Sequence, residues 1–272
     1  MLEITTVNKG AELISVKHNG IEKMHNGESF WNRHSPVLFP IVGKLKDGKT
    51  TINGTEYEMG QHGFARDMEF EKIGEDSYLL KANEETYKKY PYNFELYISY
   101  EKTNKKVTTK YKVVNKDNQK MYFGLGGHPA FSCEYTSGKY RLEFEDIEDS
   151  LEIYQLENGL VKTKPEKTKK FVRENRIFLD NKTFENDALI IKKIKSHKIY
   201  LKTETKTILA FDFKGFPSLG IWSKPEAPFI CIEPWLNTAD NVDSDGIFEN
   251  KENIISIEPN QEFEAQYSVE FF

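Results

Sequence analysis

In "KVTTKYKVV", Val107, Thr109, Tyr111 and Val113 fall on one side of an extended chain, and Thr108, Lys110 and Lys112 fall on the other. A period of two is the signature of a β-strand with one buried face, because successive side chains of a strand point in opposite directions. The same alternation sets Leu96, Ile98 and Tyr100 together in "LYISY". It recurs in "YRLEF" from Tyr140, around Leu209, Phe211 and Phe213 in "ILAFDF", and with Tyr267, Val269 and Phe271 in the closing "QYSVEFF". Between such runs lie Asn19-Gly20, Asn53-Gly54 and Asn158-Gly159, the dipeptide that two-residue hairpins require because both central residues take positive φ. One short helix is expected over residues 83–90, with Asn83 as its cap, Glu84 and Glu85 in its first turn and Pro91 stopping it. No long amphipathic helix offers a parallel crossover, so the strands pair antiparallel.

An all-β chain of 272 residues with this many strands is awkward as one open sheet, and two stacked antiparallel sheets bury its inner faces naturally. No Pro/Gly/Ser-rich linker divides it, and the lysine-rich stretch "VKTKPEKTKKFVREN" reads as a solvated loop or hairpin, which leaves a single domain over residues 1–272. With 38 Lys and Arg against 43 Asp and Glu, the net charge of −5 provides no field to gather phosphate backbones or anionic lipid. Nucleic-acid and membrane partners are not expected. The beginning of the chain lacks a basic segment followed by an apolar core, and the protein is read as cytosolic.

Cys133 and Cys231 are too few and too far apart to suggest a disulfide framework or a zinc site, and are read as buried free thiols. Of six histidines, His18, His25, His34 and His197 have polar or charged neighbours and read as surface residues. His62 in "GQHGFAR" and His128 in "GLGGHPAF" differ, because adjacent glycines permit close approach of backbone or ligand. Glu233 in "FICIEPWLNTAD" follows four apolar or cysteine residues and precedes Pro234 and Trp235, placing a carboxylate at the end of a buried strand. Burial without a partner raises such a group towards the range of a useful general base, whereas pairing with a Lys or Arg would make it structural. Both readings stand on pattern alone. "NVDSDG" has the alternating Asn/Asp of a calcium loop but lacks the closing glutamate and reads as a turn. No nucleophile elbow, phosphate loop or dinucleotide fingerprint is present, so an acid/base site without metal or cofactor is what the residues leave.

Together "GQHGFAR", "GGHPAF" and "CIEPW" resemble the aldose 1-epimerase (galactose mutarotase) superfamily, and "SPVLFPIVGKLKDG" with "GIWSKPEAPFICIEPWLNTAD" is similar to its LacX-like branch. The resemblance runs from about Trp31 to the last strand. It implies a large antiparallel β-sandwich, the galactose mutarotase-like supersandwich, with a sugar cleft on one face. It implies an isomerase that interconverts the α and β anomers of a free hexose such as galactose or glucose without a cofactor, acting as a monomer or homodimer. His128 matches the family's general acid and Glu233 its general base. His62 matches a second histidine that holds a sugar hydroxyl or the ring oxygen, and Asp187, which in "FENDA" also reads as a turn residue before a strand, matches an aspartate that binds sugar hydroxyls. Trp222 and Trp235 offer apolar faces to a sugar ring, or serve in the core.

Lys44 stands where related sequences commonly carry an arginine, and an ammonium cannot present the planar fork of a guanidinium; Arg66, directly after "HGFA", is either a substitute donor or a structural partner of a nearby acid. Two other functions fit the same residues. A hexose-phosphate mutarotase would need basic groups such as Lys44, Lys46 and Arg66 to converge. A sugar-binding or sensing protein would need neither the acid nor the base.

Overall fold

The computed structural model describes residues 1–272, the side chain of Lys169 excepted. All three Asn-Gly pairs close two-residue hairpins, with φ of 53° and 77°, 48° and 78°, and 53° and 85° in chain order. They join Leu13–His18 to Ile21–Glu22, Lys49–Ile52 to Thr55–Glu58, and Leu156–Glu157 to Leu160–Val161. The left-handed backbone that Asn and Gly tolerate fits the twist of the paired strands, so local chemistry and sheet agree at these corners.

Ten strands form the larger sheet, and its middle is made of the three longest, Phe94–Lys102, Lys106–Asn115 and Glu262–Phe271. Here the period-two pattern is realised residue by residue: Tyr111 stands opposite Ile98 and Ala265, Val113 opposite Leu96 and Phe263, with Tyr111, Ile98, Val113 and Leu96 buried and Ala265 and Phe263 half-buried against them. A second sheet, of seven strands, runs through Glu152–Tyr154, Leu189–Lys192, Ser218–Trp222, Phe229–Trp235, Gly126–Gly127 and Val37–Leu38, with Ala130–Ser132 also paired to Phe229–Trp235. All its pairings are antiparallel. Ile230, Ile232 and Phe131 share one core with residues of the larger sheet, the Phe131 ring lying 6.1 Å from that of Phe211 and 6.2 Å from that of Phe271. The architecture is an antiparallel β-sandwich, as the alternation and the resemblance both imply.

The helix is shorter than expected, Glu84–Tyr87, but its cap is the one predicted: the Asn83 side chain accepts from the Glu85 and Thr86 N–H groups, and Thr86 Oγ1 accepts from the Asn83 N–H. The lysine-rich stretch ends in the first strand and turn of the hairpin Val172–Arg173 to Arg176–Phe178 at the edge of the larger sheet. Two histidines differ from the reading given above. His18 and His25 are buried, because pairing across strands and aromatic neighbours cover them despite polar residues beside them in sequence. Among the described residues, no helix is long and apolar enough to cross a membrane.

Phe131 joins the two sheets at 2% exposure. Phe131→Ala is expected to cost about 3–5 kcal/mol, the range for deleting a buried aromatic ring. A urea unfolding midpoint indistinguishable from wild type would show that this contact does not couple the sheets.

Candidate active site

Every residue of strand Phe229–Trp235 is buried. Ile230 and Ile232 face the core between the sheets, so the period of two turns Cys231, Glu233 and Trp235 to the sheet's other face. On one side of this strand Ala130 stands opposite Cys231, and the Ile232 N–H donates to the Pro129 carbonyl at 3.3 Å. One step further, the same register brings His128 against Glu233, and His128 Nε2 lies 3.2 Å from Glu233 Oε2. On the other side Gly220 is paired with Glu233. A Cβ there would fall 2.5 Å from Trp235 Cζ2, so glycine is what lets the indole lie across the neighbouring strand. In that position Trp235 Nε1–H donates to Glu233 Oε2 at 3.2 Å.

Of the two readings open for Glu233, pairing with a Lys or Arg does not occur: its ion-pair partner among the described residues is His128. Burial is the main cause pushing the Glu233 carboxyl well above the usual carboxylate range; Asp187 adds to the rise, and the Trp235 hydrogen bond opposes it. Burial likewise moves His128 down, with the positive charges of Arg66 and Arg33 acting in the same direction. The His128 Nδ1 has no protein partner, so Glu233 is the group that controls where the ring carries its proton.

His62 approaches from a separate loop. Its backbone is left-handed at φ 67°, its N–H donates to the Gly43 carbonyl at 2.7 Å, and its Nδ1 accepts from the Gly43 N–H at 3.0 Å. Accepting at Nδ1 leaves Nε2 to carry the hydrogen of the neutral ring, and burial holds the ring neutral by pushing its pKa well down. Gly63 follows at φ 72° because a Cβ would meet the Phe39 carbonyl oxygen at 2.2 Å. The close approach that glycine permits here is therefore to protein backbone. The His62 and His128 rings meet edge to face at 5.4 Å.

These groups line a cleft of about 450 Å³ together with Arg66, Asp187, Trp222 and Trp235. Asp187 is also the turn residue before Leu189–Lys192, at φ 72° with Oδ1 accepting from the Ala188 N–H at 2.9 Å, so its turn reading and its place in the cleft are compatible. Arg66 donates to the Gln61 carbonyl at 2.7 Å, and its Nε makes no hydrogen bond but lies 3.7 Å from Asp67 Oδ2, so it is paired with an adjacent acid while it lines the cleft. Lys44 is exposed, donates to the Asn158 carbonyl at 3.1 Å and does not itself line the cleft, whose wall there is made by its neighbours Gly43 and Gly159. Lys46 turns to the Ser244 carbonyl at 2.9 Å. The three cations named for a phosphate do not converge. A groove of similar size, about 440 Å³, lies against the larger sheet, but its Lys110 and Lys112 are paired with Glu101 and Glu262 and it holds no acid/base pair.

Sequence reasoning did not single out Trp31. Its ring is centred 4.9 Å from that of His128 and 5.6 Å from that of Trp222, and the Trp31 carbonyl is held by His25 Nε2 at 2.7 Å. The available signal was Phe30-Trp31 inside a polar, loop-like segment, where large aromatics have no face of their own to bury.

The model of the family described as "Aldose 1-epimerase" matches residues 1–249. Two relatives from Lactococcus lactis subsp. lactis, "Protein LacX, plasmid" and "Protein LacX, chromosomal", are each 30% identical over 96% of this chain and 93% of their own length. Among solved structures, a galactose mutarotase related enzyme from Lactobacillus acidophilus superposes with a TM-score of 0.90 at 32% identity, covering 100% of this chain and 95% of that one. A galactose mutarotase-like protein from Lactobacillus casei also gives 0.90, at 28% identity and coverages of 100% and 97%. Galactose 1-epimerase from Lactobacillus acidophilus shares the fold alone, at a TM-score of 0.73 and 13% identity over 100% of this chain and 91% of its own.

Gly220→Ala tests how the carboxylate is held. Its methyl group cannot coexist with the indole as placed, so an overpacking cost of about 1–3 kcal/mol in chemical denaturation is expected. Unaltered stability would mean that Trp235 does not cross Gly220.

Proposed function

The chain belongs to the aldose 1-epimerase family, and from that premise we propose that it is a mutarotase, opening and reclosing the ring of a free hexose with His128 as acid and Glu233 as base. The observation that carries this reading is the His128–Glu233 contact, 3.2 Å long, buried, open to a cleft and without a neutralising cation. A binding protein has no need to bury such a pair.

Exchange of anomers requires loss of the proton on the anomeric hydroxyl and gain of one by the ring oxygen. The C1 to ring-oxygen bond then breaks and C1 becomes an aldehyde. A carboxylate and an imidazolium perform both transfers together and become a carboxylic acid and a neutral imidazole. After rotation about C1–C2 the two transfers run backwards on the other face of the carbonyl. No proton is gained or lost overall, because the second pair of transfers returns Glu233 to a carboxylate and His128 to an imidazolium. Burial favours the neutral pair, which is the protonation state that accompanies the open chain. His62 Nε2–H, Asp187 and Arg66 are the groups placed to hold hydroxyls, and Trp31, Trp222 and Trp235 supply apolar surface for the ring's C–H face.

Each positioned proton transfer contributes roughly 10²–10⁴-fold. Polarimetry of freshly dissolved α-D-galactose and α-D-glucose is expected to show catalysed mutarotation that Glu233→Gln and His128→Ala each reduce by about that factor, with KM little changed for Glu233→Gln. No acceleration with either sugar, or full turnover by Glu233→Gln, would refute the assignment.

The pH profile follows from the pair's charge. Below its lower limb the pair gains a second proton and lacks a base; above its upper limb it loses the shared proton and lacks an acid. Both changes place net charge in a buried site, so burial lowers the first limb and raises the second. A plateau reaching from below about 4.3 to above about 6.5, the ordinary values of Glu and His, is expected in kcat/KM. Activity already half lost at pH 6 would contradict it.

A further inference from the structure

Proton transfer leaves Cys231 unused. Its thiol shares the outward face of the strand with Glu233, two residues away, and lies on the register step beside His128. Ligand atoms of His128, Cys231 and Glu233 all lie within 4.8 Å of one another, and all three residues are buried. Imidazole nitrogen, thiolate and carboxylate oxygen are the donors that Zn²⁺ takes, and three of them with one open position make a complete protein contribution. The spacing already fits in part. Two nitrogen or oxygen donors about 2.0–2.1 Å from a tetrahedral ion stand roughly 3.3 Å apart, and His128 Nε2 and Glu233 Oε2 are 3.2 Å apart. No Lys or Arg among the described residues competes for the carboxylate.

We propose that His128, Cys231 and Glu233 form a binding site for a thiophilic divalent cation of the Zn²⁺ class, with the fourth coordination position turned to the cleft. The ion replaces the proton that His128 and Glu233 share and the proton of the thiol, so a loaded chain has neither acid nor base and is inhibited. That consequence for turnover rests on the mutarotase reading; binding of the ion does not. Cys231 is fully covered, under its cross-strand partner Trp222, and does not line the cleft. An incoming ion therefore meets His128 and Glu233 first and the sulfur only after the indole shifts, which makes capture slow compared with diffusion. The same burial pushes the free thiol's pKa up and keeps it inert as a nucleophile until a metal ion displaces its proton.

Titration of chelator-stripped protein with Co²⁺, without sugar, is the test. A near-ultraviolet thiolate-to-cobalt charge-transfer band and intense visible bands of tetrahedral cobalt are expected to saturate at one ion per chain, and Zn²⁺ is expected to erase both. In Cys231→Ser the charge-transfer band is expected to vanish. Its Zn²⁺ affinity, read by competition with a chromophoric chelator, should fall by at least the roughly 10–100-fold that loss of even an outer partner of a ligand costs. The variant's metal-free mutarotation should persist and resist added Zn²⁺. Absence of the charge-transfer band in wild type, or equal Zn²⁺ affinity in a folded Cys231→Ser, overturns the proposal. Should the variant fail to fold, the wild-type band decides alone. Because the metal is read on sugar-free protein, a failure here and a failure of mutarotation are separate results.

Discussion

A carboxylate at 1% exposure, facing an imidazole instead of a lysine or arginine, is the constraint around which this sandwich is arranged. Removing a carboxylate from water costs several kcal/mol unless its charge is matched or its proton retained, and this site retains one proton between two groups. Its neighbours follow from that need. Gly220 yields space to the indole of Trp235, the indole donates to the carboxylate, and the pairing of Ala130–Ser132 with Phe229–Trp235 delivers the imidazole. A slip of one residue in that pairing would turn Glu233 into the space that Ile230 and Ile232 fill between the sheets. The register that keeps Ile230 and Ile232 in the core therefore also keeps Glu233 at the cleft.

Sheets and site make different claims about relatedness. Galactose 1-epimerase of Lactobacillus acidophilus overlays this chain at 13% identity, which speaks for a shared sandwich, and sandwiches host many functions. The family match over residues 1–249 and the LacX relatives at 30% identity carry more, because they span the loops that bring His62, Asp187 and Arg66 to one cleft. The seven-stranded sheet supplies the floor through His128, Glu233 and Trp222, while loops supply walls. Differences in the walls, such as Lys44 turned to the Asn158 carbonyl, leave the floor undisturbed.

What could be read without coordinates was whatever depends on near neighbours. Alternation placed Leu96, Tyr111 and Val269 inward because a strand's period is a local property, and Asn-Gly announced its corners because positive φ is one too. Glu233 was recognisable because the apolar residues before it declare burial. Histidines 18 and 25 were misjudged for the converse reason: polar neighbours in sequence say nothing about a strand partner or a Phe229 ring arriving from elsewhere. Trp31 escaped notice because its position over His128 depends on a hydrogen bond from His25 to its carbonyl, a contact with no pattern in the chain. The place of Lys44 was hidden likewise, since its loop is set by the mutual hydrogen bonds of Gly43 and His62.

The chain has three tryptophans, and all three line the one cleft. Trp31 and Trp222 each have the His128 ring within 6 Å, at 4.9 and 5.8 Å between centroids. Ultraviolet excitation of the indoles therefore reports on a single place in the molecule, with no background emission from tryptophan elsewhere. A sugar that excludes water from these rings, or a proton that turns His128 into a quenching imidazolium, alters the whole indole emission of the protein. The fold thus contains its own optical gauge of occupancy and of the imidazole's charge, and needs no attached dye.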